Sequence, residues 1–134
     1  MKYLLDTNIC IHLLRGLYDI DKKIDDAGLD NCYISVITEM ELLSGMYEAR
    51  RKGRQINESA LRSFLKSIQI LQLDDAVELF CQQRSNLRED GIMIEDFDLM
   101  IGCTAISNGL VLVSDNVKHM KRISNIRLVN WVDR

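Results

Sequence analysis

Two aspartates follow short apolar segments that have the character of β-strands. Asp6 ends the run Lys2–Leu5, and Asp115 stands two residues after the run Leu110–Val113. Ligands bind at the carboxyl ends of the strands in an open parallel sheet, so two acids at such ends could bind one ligand together. Aspartate is also common in turns and at helix N-caps, which would explain either residue alone. Their position after the two best-defined strands favours a common functional site.

A third aspartate, Asp98, lies on a predicted helix among apolar and small residues. At ~100° per residue, it shares one helix face with Ile101, Gly102 and Ala105. A bare carboxylate is costly to bury there, so it must be protonated, paired with Arg or Lys, or bound to a metal ion. The neighbouring Asp96 faces another side, where water can solvate it. Asp98 is therefore the strongest single candidate for a functional acid.

Glu41 has two explanations from the sequence. Thr38 and Glu41 match the capping box, in which a glutamate reaches back to the backbone amide of a cap residue three positions earlier. Helical projection also places Glu41 opposite an apolar stripe formed by Leu42, Leu43, Met46 and Tyr47. Both features favour a role in helix capping over a role in catalysis.

Histidine and cysteine offer little material for a transition-metal site. The two histidines lie far apart: His12 is expected to pack in the core, and His119 belongs to a basic cluster. No C-x-x-C pair occurs, and the apolar surroundings of all four cysteines predict buried, reduced thiols at Cys10, Cys32, Cys81 and Cys103. The chain also has no Walker loop, dinucleotide-binding glycine motif or nucleophile elbow. These observations argue against zinc and against nucleotide or serine-hydrolase chemistry.

The charge balance limits how the chain could bind nucleic acid. With 17 Lys and Arg against 20 Asp and Glu, the formal net charge is −3, so binding would need a local basic patch. Two clusters at predicted helix ends could supply one: Arg50, Arg51, Lys52 and Arg54 in the first, and Lys118, Lys121 and Arg122 in the second. Cations at helix ends are favoured by the helix dipole without any function. Beside a metal site, they would become contacts to the phosphate backbone.

Strands and helices alternate along the predicted chain. The predicted strands are Lys2–Leu5, Cys32–Ile37, Ile70–Leu73, Leu110–Val113 and Arg127–Trp131. The predicted helices are Ile9–Arg15, Asp19–Ala27, Thr38–Lys52, Asn57–Ser67, Asp75–Glu89 and Glu95–Asn108, followed by a short helical stretch after Asn116. This order predicts an α/β fold, with a mostly parallel central sheet of about four or five strands between two layers of helices.

Length and hydropathy predict one domain without a membrane segment. A chain of 134 residues fits a single domain, 1–134, that needs no metal or disulfide for its core. The longest mostly apolar stretch, Leu99–Val113, contains Thr104, Ser107 and Asn108 and is too short to span a bilayer. No signal-peptide pattern precedes Asp6, so the cytoplasm is the expected location.

Four segments resemble the sequence motifs of PIN-domain proteins. They are, in order, Leu4–Ile9, Ser35–Gly45, Asp98–Ala105 and Leu112–Asn116, the last followed by Met120–Arg122 and Leu128–Trp131. Each motif is loose by itself, but four in this order and at these separations are specific, and they span nearly the whole chain. In length and order the chain is similar to the VapC group, the toxins of bacterial VapBC toxin–antitoxin pairs.

The resemblance implies an activity, a cofactor and partners. It implies a Mg²⁺- or Mn²⁺-dependent endoribonuclease of PIN-like fold, with tRNA the expected substrate and with 5′-phosphate and 3′-hydroxyl ends left after cleavage. It further implies a homodimer that a cognate VapB-type antitoxin holds inactive by covering the site. By matching position, the metal-binding acids would be Asp6, Glu41, Asp98 and Asp115, which revises the interpretation of Glu41. Groups that orient these carboxylates would be Thr7, Asn8, Ser114 and Asn116.

The sequence leaves open which residue is the fourth acid and two alternative functions. Many PIN domains carry the acid of the fourth motif one place after Asp115, where this chain has Asn116, so the two residues compete for that role. A PIN-like domain without catalysis would serve as a protein- or RNA-binding module with the same fold. A phosphoacceptor signalling domain also gathers acids at strand ends, but it would typically have a pair of aspartates where Asp6 stands alone.

Overall fold

The computed structural model describes residues 1–134 and contains one five-stranded sheet. The strands are β1 (Tyr3–Leu5), β2 (Cys32–Ser35), β3 (Gln69–Leu71), β4 (Val111–Val113) and β5 (Leu128–Val129). They lie in the order β3-β2-β1-β4-β5, and every neighbouring pair is parallel. The predicted α/β architecture and the predicted strand number are therefore confirmed.

Seven α-helices connect and cover the strands. They are α1 (Thr7–Leu14), α2 (Ile20–Ala27), α3 (Val36–Arg51), α4 (Glu58–Ser67), α5 (Val77–Glu89), α6 (Asp96–Ser107) and α7 (Val117–Met120). Single 3₁₀ turns occur at Leu29–Asn31 and Asp74–Ala76. None of these helices combines the length and the hydropathy that crossing a bilayer requires.

Alternating side chains of the central strands pack into two separate hydrophobic cores, one on each face of the sheet. Leu5 of β1 and Val113 of β4 pack into a cluster with residues of α1, α2, α3 and α4 on one face of the sheet. Leu4 and Leu112 point the other way, into a cluster built with residues of α5, α6 and α7. Because successive strand residues face opposite sides, three-residue strands suffice to anchor helices on both faces. The predicted two-sided helical cover is thus confirmed.

The sequence prediction differs from the structure in several element boundaries, most notably at the start of α3, and in the burial of one cysteine. Strand β2 ends at Ser35 and α3 begins at Val36, because the Ser35 hydroxyl accepts a hydrogen bond from the Ile37 amide at 3.0 Å and caps the helix. Thr38 consequently lies inside α3 and does not cap it. Cys81 is exposed on α5, whereas the other three cysteines are buried and unpaired as expected.

The sheet reverses its direction of growth beside β1. The chain builds from β1 outward through β2 to β3, and then returns to add β4 and β5 on the other side of β1. The carboxyl ends of β1 and β4 therefore meet at a topological switch point, where the flanking loops diverge and leave a crevice. Asp6 follows β1 at this point, and Ser114 and Asp115 follow β4.

Close packing holds α6 against this end of the fold. A Cβ atom at Gly102 would overlap the Cδ1 atom of Ile123, a residue that is itself buried. The absence of a side chain at Gly102 therefore sets how closely α6 approaches the segment after α7. This contact fixes the helix that carries Asp98 one turn earlier.

Candidate active site

Asp6 joins β1 to α1 and is held from both neighbouring segments. Its Oδ1 atom accepts a hydrogen bond from the Thr7 amide at 2.8 Å, which makes Asp6 the N-cap of α1. Its Oδ2 atom accepts from the Ser114 hydroxyl at 2.7 Å and from the Asn8 amide group at 3.4 Å. The residue is only 3% exposed, and burial raises the pKa of its carboxyl despite the Ser114 and Thr7 hydrogen bonds.

Asp98 lies half-buried in the first turn of α6, and no protein group donates a hydrogen bond to it. Burial raises the pKa of Asp98 to about 6, and the negative charges of Asp6, Glu95 and Glu41 raise it further in the same direction. The Glu41 charge also raises the pKa of Asp6. Asp98 is influenced by the charges of Asp6 and Glu41, and Asp6 by that of Glu41, so these three residues are called the acidic cluster below.

The Glu41 side chain points towards the start of α1 and does not cap its own helix. Its Oε1 atom accepts a hydrogen bond from the Thr7 hydroxyl at 2.6 Å. The Oγ1 atoms of Thr7 and Thr38 lie 3.0 Å apart. The capping-box interpretation of Glu41 is therefore wrong. Ser35 caps α3, and the Glu41 side chain instead accepts a hydrogen bond from Thr7 of α1.

Asp115 is fully engaged by other side chains. Its carboxylate accepts two hydrogen bonds from Arg134, both at 2.7 Å, and one from Asn130 at 3.2 Å, while His12 Nε2 lies 3.1 Å from Oδ2. The Arg134 hydrogen bonds are the main reason that the pKa of Asp115 lies well below its usual range. The Asp115 amide donates to Asn8 Oδ1 at 3.2 Å. Asp115 thus lies beside the acidic cluster and reaches it through Asn8.

The groups predicted to orient the carboxylates make well-defined contacts. Ser114 is fully buried, donates to Asp6 and accepts a hydrogen bond from the Asn116 amide at 2.9 Å. The Asn116 side chain lies away from the cluster, with Oδ1 2.6 Å from His119 Nδ1. Thr7, Asn8 and Ser114 therefore contact the acids directly, while Asn116 acts through its backbone.

The acidic cluster has the chemistry of a site for a hard divalent cation. No Lys, Arg or His side chain forms an ion pair with any of its three carboxylates. The raised pKa values of Asp6 and Asp98 agree with this absence of a basic partner. As they lie in the structure, no three His, Cys, Asp or Glu side chains are arranged to hold a metal ion between them, so a cation here would rely on fewer direct protein ligands. Mg²⁺ prefers carboxylate oxygens and keeps several of its waters, so an open set of oxygen ligands suits it.

The two basic clusters differ in how much free charge they offer. Arg50 is paired with Glu58, while Arg51 and Lys52 are both paired with Glu48. The remaining members are Arg54, Lys118 and Lys121, which are exposed and make no ion pair, and Arg122, which donates to the Met93 carbonyl at 2.7 Å. The uncompensated charge therefore lies at Arg54 and along α7, the helix that directly follows Asn116.

Sequence reasoning missed several residues around the acids. Thr38 could have been found, because it precedes Glu41 by three positions and so shares its helix face. The partners of Asp115 carry no such signal: His12, Asn130 and Arg134 come from α1 and from the segment after β5. Only the folded chain brings these distant positions together.

A family model described as the PIN domain matches residues 3–126. The match covers β1 through the segment before β5, together with the whole acidic cluster. The chain belongs to the PIN domain family.

Curated relatives and solved structures place it more narrowly, in the VapC group. It is 33% identical to ribonuclease VapC2 of Rickettsia felis over 140 residues, with 98% of each chain covered. It is 30% identical to the tRNA(fMet)-specific endonuclease VapC of Shigella flexneri, again with 98% of each covered. The crystal structure of Rickettsia felis VapBC2 bound to a DNA fragment from its promoter contains a chain that matches with a TM-score of 0.86 at 30% identity, covering 98% of this chain and 99% of that one.

Proposed function

We propose that this protein is a metal-dependent endoribonuclease and the toxin of a type II toxin–antitoxin pair. The observation that carries the proposal is the acidic cluster, in which no carboxylate has a basic partner, burial and the neighbouring negative charges raise the pKa of Asp98 to about 6, and the Glu41 charge raises that of Asp6. Such a cluster is destabilising by itself, because neighbouring carboxylates repel each other. A bound divalent cation would remove that cost, which is why the cluster supports a metal site and not a purely structural role.

Each carboxylate has a distinct part in the proposed reaction. Asp6 and Asp98 would bind Mg²⁺ or Mn²⁺ directly, and Glu41 would hold a water molecule of the metal and assist its deprotonation. The ion would supply an acidified water for attack on the phosphodiester and would neutralise charge that develops on the phosphate. Thr7 and Ser114 keep Glu41 and Asp6 in fixed orientations through their hydrogen bonds. These contacts reduce the reorganisation that the site needs when a cation binds.

The fourth position of the site needs a separate argument. Asp115 is one expected metal ligand and Asn116 the other, but the two Asp115 oxygens already accept from Arg134, Asn130 and His12. We therefore propose that Asp115 supports the site from outside through its backbone amide, which orients Asn8, and Asn8 in turn contacts Asp6. The Asn116 amide would complete this support through Ser114.

The proposed substrate is RNA, and tRNA is the first class to test. The tRNA specificity in the name of the Shigella flexneri relative supports this choice. The exposed cations Lys118, on the helix that follows the site, and Lys121, directly after that helix, could contact the phosphate backbone, as could Arg54.

The proposed partners are a VapB-type antitoxin and a second copy of the chain, both in the cytoplasm. Similar solved structures are described as VapBC complexes, which supports an antitoxin. A groove of about 560 Å³ beside Glu41, between α1, α3 and the loop before α4, could receive an antitoxin segment. Its apolar lining includes Leu14, Leu42 and Leu61.

A groove variant tests the antitoxin proposal. Gly45 lines the groove, and a side chain added there meets open space, so the uncharged variant Gly45→Leu would fill the groove without disturbing the core or adding a cation beside Glu41. The variant should cleave RNA but escape inhibition by its VapB-type antitoxin, measured by titrating the antitoxin into a cleavage assay. Equal inhibition of the variant and the natural protein would rule out this groove.

Cleavage of purified RNAs tests the catalytic proposal. The protein would be incubated with initiator tRNA, elongator tRNAs and ribosomal RNA, with Mg²⁺, with Mn²⁺ or with EDTA. Cleavage should require the metal and should disappear in Asp98→Asn, whereas Asp96→Asn should cleave normally because Asp96 is exposed and paired with Arg84. Metal-dependent binding of RNA without any cleavage would favour the alternative of a catalytically silent RNA-binding module.

A further inference from the structure

A fully buried hydroxyl, that of Thr38, stands behind the acidic cluster without contacting it. Thr38 lies one helical turn before Glu41 on α3, and its Oγ1 atom is 3.0 Å from Thr7 Oγ1. Thr7 comes from the start of α1, so this contact joins the two helices that carry Thr7 and Glu41. The three side chains form a continuous chain of hydrogen bonds from the protein interior to a carboxylate.

The direction of the hydrogen bonds follows from a count of protons. The Thr7 hydroxyl has one proton, and the contact of 2.6 Å to Glu41 Oε1 uses it, because an ionised carboxylate can only accept. Thr7 Oγ1 must then be the acceptor towards Thr38, and Thr38 must be the donor. The sequence of donors therefore runs from Thr38 to Thr7 to Glu41. Each hydroxyl that accepts a hydrogen bond becomes a stronger donor for the next, because such chains are cooperative.

We propose that Thr38 is a positioning residue for the nuclease site: through Thr7 it fixes the orientation of the Glu41 carboxylate. This inference rests on the proposed function and adds a residue that does not touch metal or RNA. Because Oε1 accepts the hydrogen bond from Thr7, Oε2 is the Glu41 oxygen without a protein donor and is available to a metal-bound water. Without Thr38, Thr7 Oγ1 loses the donor that holds its side chain in place, and the hydrogen bond from Thr7 to Glu41 becomes less well oriented.

The test removes the hydroxyl and keeps the shape of the side chain. Thr38→Val deletes the donor, and Thr38→Ser retains it. Thr104→Val is the matched control, because Thr104 is equally buried on α6 but its hydroxyl donates only to the Met100 carbonyl of its own helix. Thr38→Ala is a second variant in case valine disturbs the packing of α3.

Two readouts are measured on the full-length protein. Mg²⁺ and Mn²⁺ affinity is obtained by calorimetric titration without RNA, and kcat and KM are obtained from RNA cleavage. Thr38→Val should lower kcat by roughly tenfold with little change in KM and should lower metal affinity by less, since the loss of a group bonded directly to a metal ligand costs about 10–100-fold and Thr38 acts through Thr7 and Glu41. Thr38→Ser and Thr104→Val should match the natural protein in both readouts.

A double-mutant cycle with Thr7→Val makes the test specific. If Thr38 acts through Thr7, adding Thr38→Val to Thr7→Val should cause no further loss in either readout. Independent, additive losses would overturn the proposal, as would normal metal affinity and kcat in Thr38→Val. If the natural protein neither binds the metal nor cleaves RNA, the proposed function itself fails; if it does both and Thr38→Val is unchanged, only the positioning role fails.

Discussion

Asp98 binds its proton more tightly in the folded protein than in the unfolded chain. Its pKa rises from 3.8 to about 6, mainly through burial, and the charges of Asp6, Glu95 and Glu41 add to the effect. The folded state therefore holds more protons than the unfolded state between these two values. The contribution of Asp98 to stability is complete below pH 3.8 and is lost as the pH rises through about 6.

Asp98→Asn should abolish cleavage and remove this pH dependence. The metal-free variant should be at least as stable as the natural protein at neutral pH, because one member of the repelling cluster has lost its charge. The measurement is the free energy of unfolding in urea with EDTA, taken at intervals from pH 4 to pH 7, for both proteins. Identical pH profiles of the two proteins, or a large loss of stability in the variant, would show that Asp98 is not part of a repelling cluster.

The Asp115–Arg134 pair should matter for stability and not for turnover. Since the pKa of Asp115 is depressed, the pair stabilises the fold above the ordinary aspartate pKa, and this contribution is lost as the pH falls below it. Asp115→Asn and Arg134→Gln should each lower the melting temperature at neutral pH by a few degrees, and the double variant should lose little more than either single one. All three should still cleave RNA. Loss of cleavage in Asp115→Asn alone, with its stability intact, would instead identify Asp115 as the fourth acid.

At the scale of elements, the close packing of Gly102 against Ile123 positions α6 and therefore Asp98, which lies one turn earlier on the same helix. Relative to Gly45→Ala, Gly102→Ala should destabilise the protein by about 1–3 kcal/mol, because the added methyl group overlaps the Cδ1 atom of the buried Ile123. Gly45→Ala is the matched control, since that glycine is also inside a helix but a methyl group there meets open space. It should stabilise the protein by about 0.5–1 kcal/mol through helix propensity. Thermal unfolding of both variants checks the prediction, and a stable Gly102→Ala would contradict the tight contact.

Helix boundaries were the part of the fold that the sequence predicted least well. The order of strands and helices follows from apolar periodicity, which is strong in segments such as Leu110–Val113. The start of α3 was misplaced by two residues because two residues offer themselves as caps, Ser35 and Thr38. Local sequence cannot choose between them; the choice depends on Thr7, which lies on another helix and gives Thr38 a different partner.

At the scale of the whole molecule, metal binding should be visible as a gain in stability. A cation that binds only the folded state at a hundredfold excess over its dissociation constant adds about 2.7 kcal/mol to the free energy of unfolding. For a domain of this length, this corresponds to a rise of roughly 10 °C in melting temperature. Mg²⁺ should produce such a rise in the natural protein and a much smaller one in Asp98→Asn. NaCl at equal ionic strength controls for charge screening, and an equal response to both salts would contradict a cation site.

The residues of the candidate site differ in how much of their role could be predicted from the sequence. Asp6 and Asp98 could be chosen from the sequence, because a strand end and an apolar helix face are local patterns. Glu41 needed the resemblance to PIN domains, since its local sequence favoured a cap. The environment of Asp115 could not be predicted at all, because His12 and Arg134 stand 103 and 19 residues away along the chain. Electrostatic partners at such separations are set by tertiary structure alone.

The hydrogen bond between Asp6 and Ser114 joins residues 108 positions apart. During synthesis the ribosome releases β1 and Asp6 long before β4 and Ser114 emerge, so an incomplete chain has neither the central strand pair nor the donor that holds Asp6. Asp98, on α6, also emerges late. A growing polypeptide therefore lacks a complete acidic cluster until α6 has been made, and it lacks the donor that orients Asp6 until β4 and Ser114 have followed.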